Sequence, residues 1–192
     1  MNHLESFNKK IYFVPGNYEP PQKELSKILK KYKNFINCHM KLIDIGDYQI
    51  IGYGYNSFPE LPQSETDKII YASNLPKLKK EYKKNKEILT KLFKKATKPI
   101  IFIVHNPPYN TPIDIVLWKG STRHGEHLGS ILTRELIETF QPLVCCSGHM
   151  HEHFASCNIK KTLCINPGDK VKKSVFLELT TKEAKSTIPK VQ

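Results

Sequence analysis

The segment Pro99-Ile-Ile-Phe-Ile-Val-His105 constrains the fold more than any other part of the chain. It is a run of β-branched residues and Phe, too short for a typical helix and without the alternation of a half-exposed strand. It reads as a strand buried on both faces, ending at His105-Asn106-Pro107-Pro108. Other segments fit around it. Ile11–Gly16 reads as a short buried strand ending in a turn, and Pro20–Lys33 as an amphipathic helix with Leu25, Ile28, Leu29 and Tyr32 on one stripe. Met40–Ile45 and Tyr48–Tyr53 alternate about Gly46-Asp47, which predicts a hairpin. Gly129–Phe140 is a helix with a Leu132, Leu136, Ile137, Phe140 stripe. Leu143–Ser147, Thr162–Ile165 and Ser174–Leu179 read as strands. Strands separated by helices, then strands alone, give an α/β core with a partly antiparallel end.

Between Asn106 and Leu128 lies a long loop with Pro107, Pro108, Pro112 and Gly120. A loop of this length without regular structure usually has a task.

Composition narrows the functional classes. With 192 residues, 30 of them basic and 18 acidic, the net charge is +12. Only Arg123 and Arg134 are arginines, so base-edge readout of nucleic acid is disfavoured. Ten lysines crowd between Lys77 and Lys98 against Glu81 and Glu87. Leu75, Leu78, Tyr82, Leu89, Leu92, Phe93 and Ala96 recur at helical spacing opposite them, so a solvated helix face is preferred over a nucleic-acid or membrane platform. Five cysteines without a CxxC pair, no apolar export signal and no run of about 20 apolar residues fit a reducing, cytoplasmic setting with no membrane span. Cys145 and Cys146 read as core residues. No phosphate-binding P-loop is present.

Three polar clusters follow three predicted strands: Gly16-Asn17-Tyr18-Glu19, Val104-His105-Asn106 and Gly148-His149-Met150-His151. Ligands in α/β sheets gather beyond the carboxyl ends of strands, so these distant loops can converge. Neutral imidazole is a good ligand for Zn, Mn, Fe or Ni, and an Asn carbonyl adds a hard oxygen. Each cluster alone is weak; their joint order makes a metal site the stronger reading.

These residues resemble the calcineurin-like metallophosphoesterases, particularly the small prokaryotic-type members. The resemblance runs from about Ile11 to Asp169. It rests on Phe13–Glu19, His105-Asn106-Pro107-Pro108, His127-Leu128-Gly129-Ser130, Ser147–Glu152 and Asn166-Pro167-Gly168. It implies a calcineurin-like layered β-sandwich core flanked by helices, with residues 1–192 as one partial domain. It implies hydrolysis of a phosphomonoester or phosphodiester with divalent metal ions, and a phosphorylated substrate as partner. Asn17, His105 and His149 would hold one metal and His151 the second, with His105 and His149 central to catalysis.

The family's Asp-x-His and Gly-Asp motifs, which precede the Gly-Asn motif, do not occur in the sixteen residues before Asn17. The bridging carboxylate is therefore expected to be missing. Gly46-Asp47 falls on the wrong side of Asn17 and reads as a turn. The family's general-acid His is Tyr18 here. A chain lacking its first two strands is the leading expectation, leaving the Ile11 strand without parallel neighbours. A degenerate, non-catalytic scaffold is the alternative. Asp114 is a candidate to orient a ligand His or to stabilise a turn. His127 lies near where a phosphate could meet helix N–H groups, although a surface histidine is the preferred reading, and His124 and His153 read as solvent-facing.

Overall fold

The computed structural model describes residues 1–55, 60–169 and 174–188. Its centre is a six-stranded sheet in the order β3-β4-β5-β6-β8-β7. The strands are β3 (Leu42–Asp44), β4 (Gln49–Tyr53), β5 (Ile100–Val104), β6 (Val144–Cys146), β7 (Ala155–Ile159) and β8 (Thr162–Asn166). The inner four, β4, β5, β6 and β8, are mutually parallel. The edges β3 and β7 run antiparallel to their neighbours. The carboxyl ends of the four parallel strands, at Tyr53, Val104, Cys146 and Asn166, therefore open on one side of the molecule.

Alternation along these strands separates two apolar layers. Ile51, Tyr53, Phe102, Val104, Cys145, Cys157 and Cys164 face one layer together with Leu89 and Phe93 of α4 (Leu75–Lys95) and Leu132, Leu136 and Ile137 of α5 (Ile131–Phe140). Phe93 packs edge-on to Phe102 at 5.1 Å and stacks on Phe140 at 4.9 Å. Each such buried side chain contributes about 1.5–3 kcal/mol. On the opposite face, Ile50, Ile101, Val144, Leu163 and Ile165 meet Tyr12, Val14 and Cys38. Those come from or adjoin a two-stranded parallel sheet of β1 (Ile11–Phe13) and β2 (Phe35–Asn37). A second small sheet, β9 (Leu177–Leu179) with β10 (Ala184–Ser186), completes that layer through Leu177, Leu179 and Ala184. Helices, sheet and outer strands are thus stacked as the calcineurin-like layering requires.

Local chemistry explains the elements. Gly46, at φ +85°, turns the β3–β4 hairpin, and Ile45 N–H donates to Tyr48 O at 3.0 Å. Pro76 lies in the first turn of α4, and Lys94 and Lys95 meet its negative C-terminal end. Ser130 caps α5 by accepting from Thr133 N–H at 2.9 Å.

Several expectations change. The first amphipathic helix, α2, covers only Gln22–Leu29 and buries Leu25 alone. The Ile11 strand does have a parallel neighbour, β2. Strands β2, β7 and β10 and helices α1 (Asn2–Glu5) and α3 (Glu65–Ile70) lacked a clear periodic signal. β7 reads Ala-Ser-Cys-Asn-Ile, and its Ser156 is buried despite being polar. Among the described residues no helix is long and apolar enough to cross a membrane.

Candidate metal and phosphoester site

Asn17, His105 and His149 come together at the carboxyl end of the parallel strands. His105 follows β5, and its Nε2 lies 2.9 Å from Asn17 Oδ1. The His105 and His149 rings are 4.7 Å apart, edge to face. The backbone builds this corner. His105 N–H donates to Tyr53 O at 3.0 Å, and Gly148 N–H donates to His105 O at 3.0 Å, locking the loops beyond β4, β5 and β6 together.

Gly16 has a steric reason to be glycine. A Cβ there would stand 2.7 Å from His105 Cε1 and 2.9 Å from Nδ1. Its N–H is held by Glu19 Oε2 at 2.6 Å, which fixes the turn that presents Asn17.

His149 occupies a left-handed conformation at φ +64°, and Met150 N–H donates to Gly148 O at 2.7 Å across it. That three-residue turn is costly for a non-glycine residue and needs support from its surroundings. Asn166 supplies it. Fully buried, its Nδ2 donates to Met150 O at 2.9 Å and to Gly148 O at 3.3 Å. Its Oδ1 accepts from Gly168 N–H at 3.0 Å. The Asn166-Pro167-Gly168 motif is thus the buttress of the His149 loop.

Electrostatics keep the two inner imidazoles in their ligating form. Burial, then the neighbouring His149 and His151, push His105 down to about 4. Burial also lowers His149, followed by the influence of His151, with Glu152 opposing. Both are neutral near pH 7, with a lone pair available. Next to His105, Asn106 is 1% exposed and its Oδ1 has no hydrogen-bond partner among the described residues.

His151 stands apart. Its side chain is 61% exposed, with Nδ1 3.5 Å from Asp169 Oδ2. Tyr18, at the family's general-acid position, is 90% exposed.

An amide oxygen from Asn17 with imidazole nitrogens from His105 and His149 suits one divalent ion. A dinuclear centre does not fit these residues. Two adjacent cations need anionic bridging, and none of Asn17, His105, His149 and His151 is a carboxylate. Among the described residues no three His, Cys, Asp or Glu side chains are grouped to hold an ion.

The remaining candidates resolve individually. His124 is exposed. His153 is not: it is 5% exposed, and its Nε2 bonds Ile115 O at 2.7 Å, because a buried imidazole needs a partner. The first turn of α5 is not open to phosphate. Glu60 already occupies it, accepting from Ser130 Oγ–H at 2.7 Å and Leu132 N–H at 3.0 Å. Asp114 both stabilises its loop and holds His127, at 2.7 Å from Nδ1. The sequence does not mark Glu60 as a positioning residue, and shows Asn166 only as a polar residue closing an apolar strand, without its partners.

Known proteins share the family and the fold. The family described as calcineurin-like phosphoesterase matches residues 1–153. The uncharacterized protein MJ1162 of Methanocaldococcus jannaschii is 32% identical over 163 residues, 83% of this chain; the chain spans 64% of that relative's length. One crystal structure superposes with a TM-score of 0.64 at 19% identity, covering 97% of this chain and 68% of its own. The crystal structure of TT1561 of Thermus thermophilus gives 0.54 at 18% identity, covering 92% and 71%. The chain belongs to the calcineurin-like phosphoesterase family.

Proposed function

We propose, from that membership, that the chain acts in metal-dependent hydrolysis of a phosphomonoester or phosphodiester. The observation that supports the reading is the meeting of Asn17, His105 and His149 at the carboxyl end of the sheet. Asn17, His105 and His149 would hold one divalent ion (Mn, Fe, Zn or Ni), while His151, a single exposed imidazole, does not make a second site by itself. Such ions neutralise charge on phosphate oxygens. The residues of the chain supply the rest. Asn166 holds the backbone turn that carries His149, and Gly16 leaves room for the His105 ring. Burial keeps both rings unprotonated. We take residues 1–192 as one partial phosphoesterase domain.

A second reading is favoured by one observation, the absence of a carboxylate among the four ligands: a binding or scaffold protein that kept the fold and lost the chemistry. Turnover separates the two. Purified chain with Mn²⁺ is expected to hydrolyse an aryl phosphate or its diester, and His105→Ala to abolish this. Folded protein with no turnover under any of the four metals would leave the scaffold reading standing.

A further inference from the structure

The loop between β5 and α5 holds an Asp–His pair that the ligand set does not use. Asp114 is fully buried. It accepts from Asn110 N–H at 3.0 Å, Thr111 N–H at 2.8 Å, Thr111 Oγ–H at 3.3 Å and Gly129 N–H at 2.9 Å. Those donors satisfy a buried carboxylate without any imidazole. His127 is an additional partner, with Nδ1 2.7 Å from Asp114 Oδ1 and a side chain 29% exposed. A carboxylate at Nδ1 fixes the ring's orientation and places a proton on that nitrogen. Nε2 makes no hydrogen bond among the described residues.

The pair sits at the functional end of the sheet. The chain leaves β5 at Val104 and α5 leads back to β6, so the first turn of α5 lies at the end of the sheet where His105 stands. Pro107 O, two residues past His105, accepts from Ser130 N–H at 2.7 Å. Ile115 pairs antiparallel with His127, and Ile115 O takes the bond from His153, two residues past His151. His127 is therefore framed by the loops that carry His105 and His151.

We propose that His127 is the proton donor to the leaving-group oxygen, with Asp114 as its positioning residue; this rests on the phosphoesterase reading. The donor position next to Asn17 is held by Tyr18, which is almost fully exposed. As the P–O bond to the leaving group breaks, its electron pair stays on the ester oxygen. That oxygen takes the Nε2 proton of the His127 imidazolium. The oxygen of the attacking water bonds to phosphorus, and the proton it sheds returns to Nε2. The products are the alcohol and phosphate.

Two measurements on the full chain test this. Long-range ¹H–¹⁵N NMR reads the imidazole nitrogens during titration with inorganic phosphate, the product. Saturable displacement of the His127 Nε2 signal, with Nδ1 still protonated, is expected; an unresponsive His127 overturns the proposal. Hydrolysis of a series of phosphate esters then compares wild type with His127→Gln, which leaves the backbone donors to Asp114 intact. The variant should lose about 100-fold or more on esters with poor leaving groups. It should lose little on 2,4-dinitrophenyl phosphate, whose leaving group needs no proton. An equal loss on every ester, with an unchanged melting temperature, overturns the proposal alone. Absence of wild-type turnover on all esters overturns the phosphoesterase reading and the donor role with it.

Discussion

The Asn17–His105–His149 corner and the His151 position lie on neighbouring loops but are built differently. In the corner His105 and His149 are half-buried beside an exposed Asn17, the two imidazoles are held neutral, and backbone bonds from neighbouring loops converge on them. His151 is 61% exposed and its nearest described ionic contact, to Asp169, is 3.5 Å long. A preorganised set of donors loses little entropy when it takes a ligand, whereas a solvated side chain must be ordered first. The contrast teaches that, on the proposed metal-dependent reading, one cation position has donors already held in place and the other has only a single exposed imidazole.

The largest effect should come from removing the buttress of the corner. Asn166→Ala removes three hydrogen bonds at about 1 kcal/mol each, leaving Gly168 N–H without its side-chain acceptor while Gly148 O and Met150 O keep only their backbone donors, and should cost about 3 kcal/mol. A thermal melt should fall by roughly 6–12 °C for a chain of this size. An unchanged melt would show that the His149 turn needs no support.

Acid sharpens the comparison by titrating a ring outside both positions. Burial pushes His39 down to about 4, with Lys41 adding to the shift, and its Nδ1 accepts from Gly54 N–H at 3.0 Å. A His depressed in the folded state binds more protons when unfolded. Its contribution is therefore complete above about 6.5 and is lost as pH falls towards 4. The loss from His39 reaches up to about 3 kcal/mol, read as a falling urea midpoint whose slope is reduced in His39→Gln but not abolished, because His105 is depressed into the same range. A midpoint independent of pH over that window would refute the assignment.

Gly16→Ala strikes the corner sterically. The new Cβ would press on the His105 ring, costing about 1–3 kcal/mol and lowering Mn²⁺ affinity about tenfold. Calorimetric titration would detect either result, and wild-type affinity would contradict the close approach. The smallest effect belongs to His151→Ala, whose stability should stay within about 0.5 kcal/mol of the parent. A larger loss would mean that His151 is anchored more firmly than its exposure suggests.

Which of these features were legible in the sequence follows from their physics. The run Ile100–Val104 and the stripe on α4 announce themselves because burial on a regular element leaves a period. His105 was legible because it directly follows β5, and Asn17 and His149 because they lie in the short loops just beyond β1 and β6. Asn166, which closes β8, could not be read as the buttress of His149, since that role depends on carbonyls sixteen and eighteen residues away in sequence. His153 reads as a surface residue in the sequence because its partner, Ile115 O, lies thirty-eight residues upstream. The β7 strand hid behind Ser156 and Asn158 in an edge position. Periodicity carries elements and their order; pairwise polar contacts between loops appear only when the chain is folded.

Metal content tests the central claim most directly. The purified chain, dialysed against Mn²⁺ or Zn²⁺ and assayed by elemental mass spectrometry, should hold one ion per chain. That ion should vanish in His105→Ala and persist in His151→Ala. An ion that survives His105→Ala, or a folded chain that takes up none, would contradict the account.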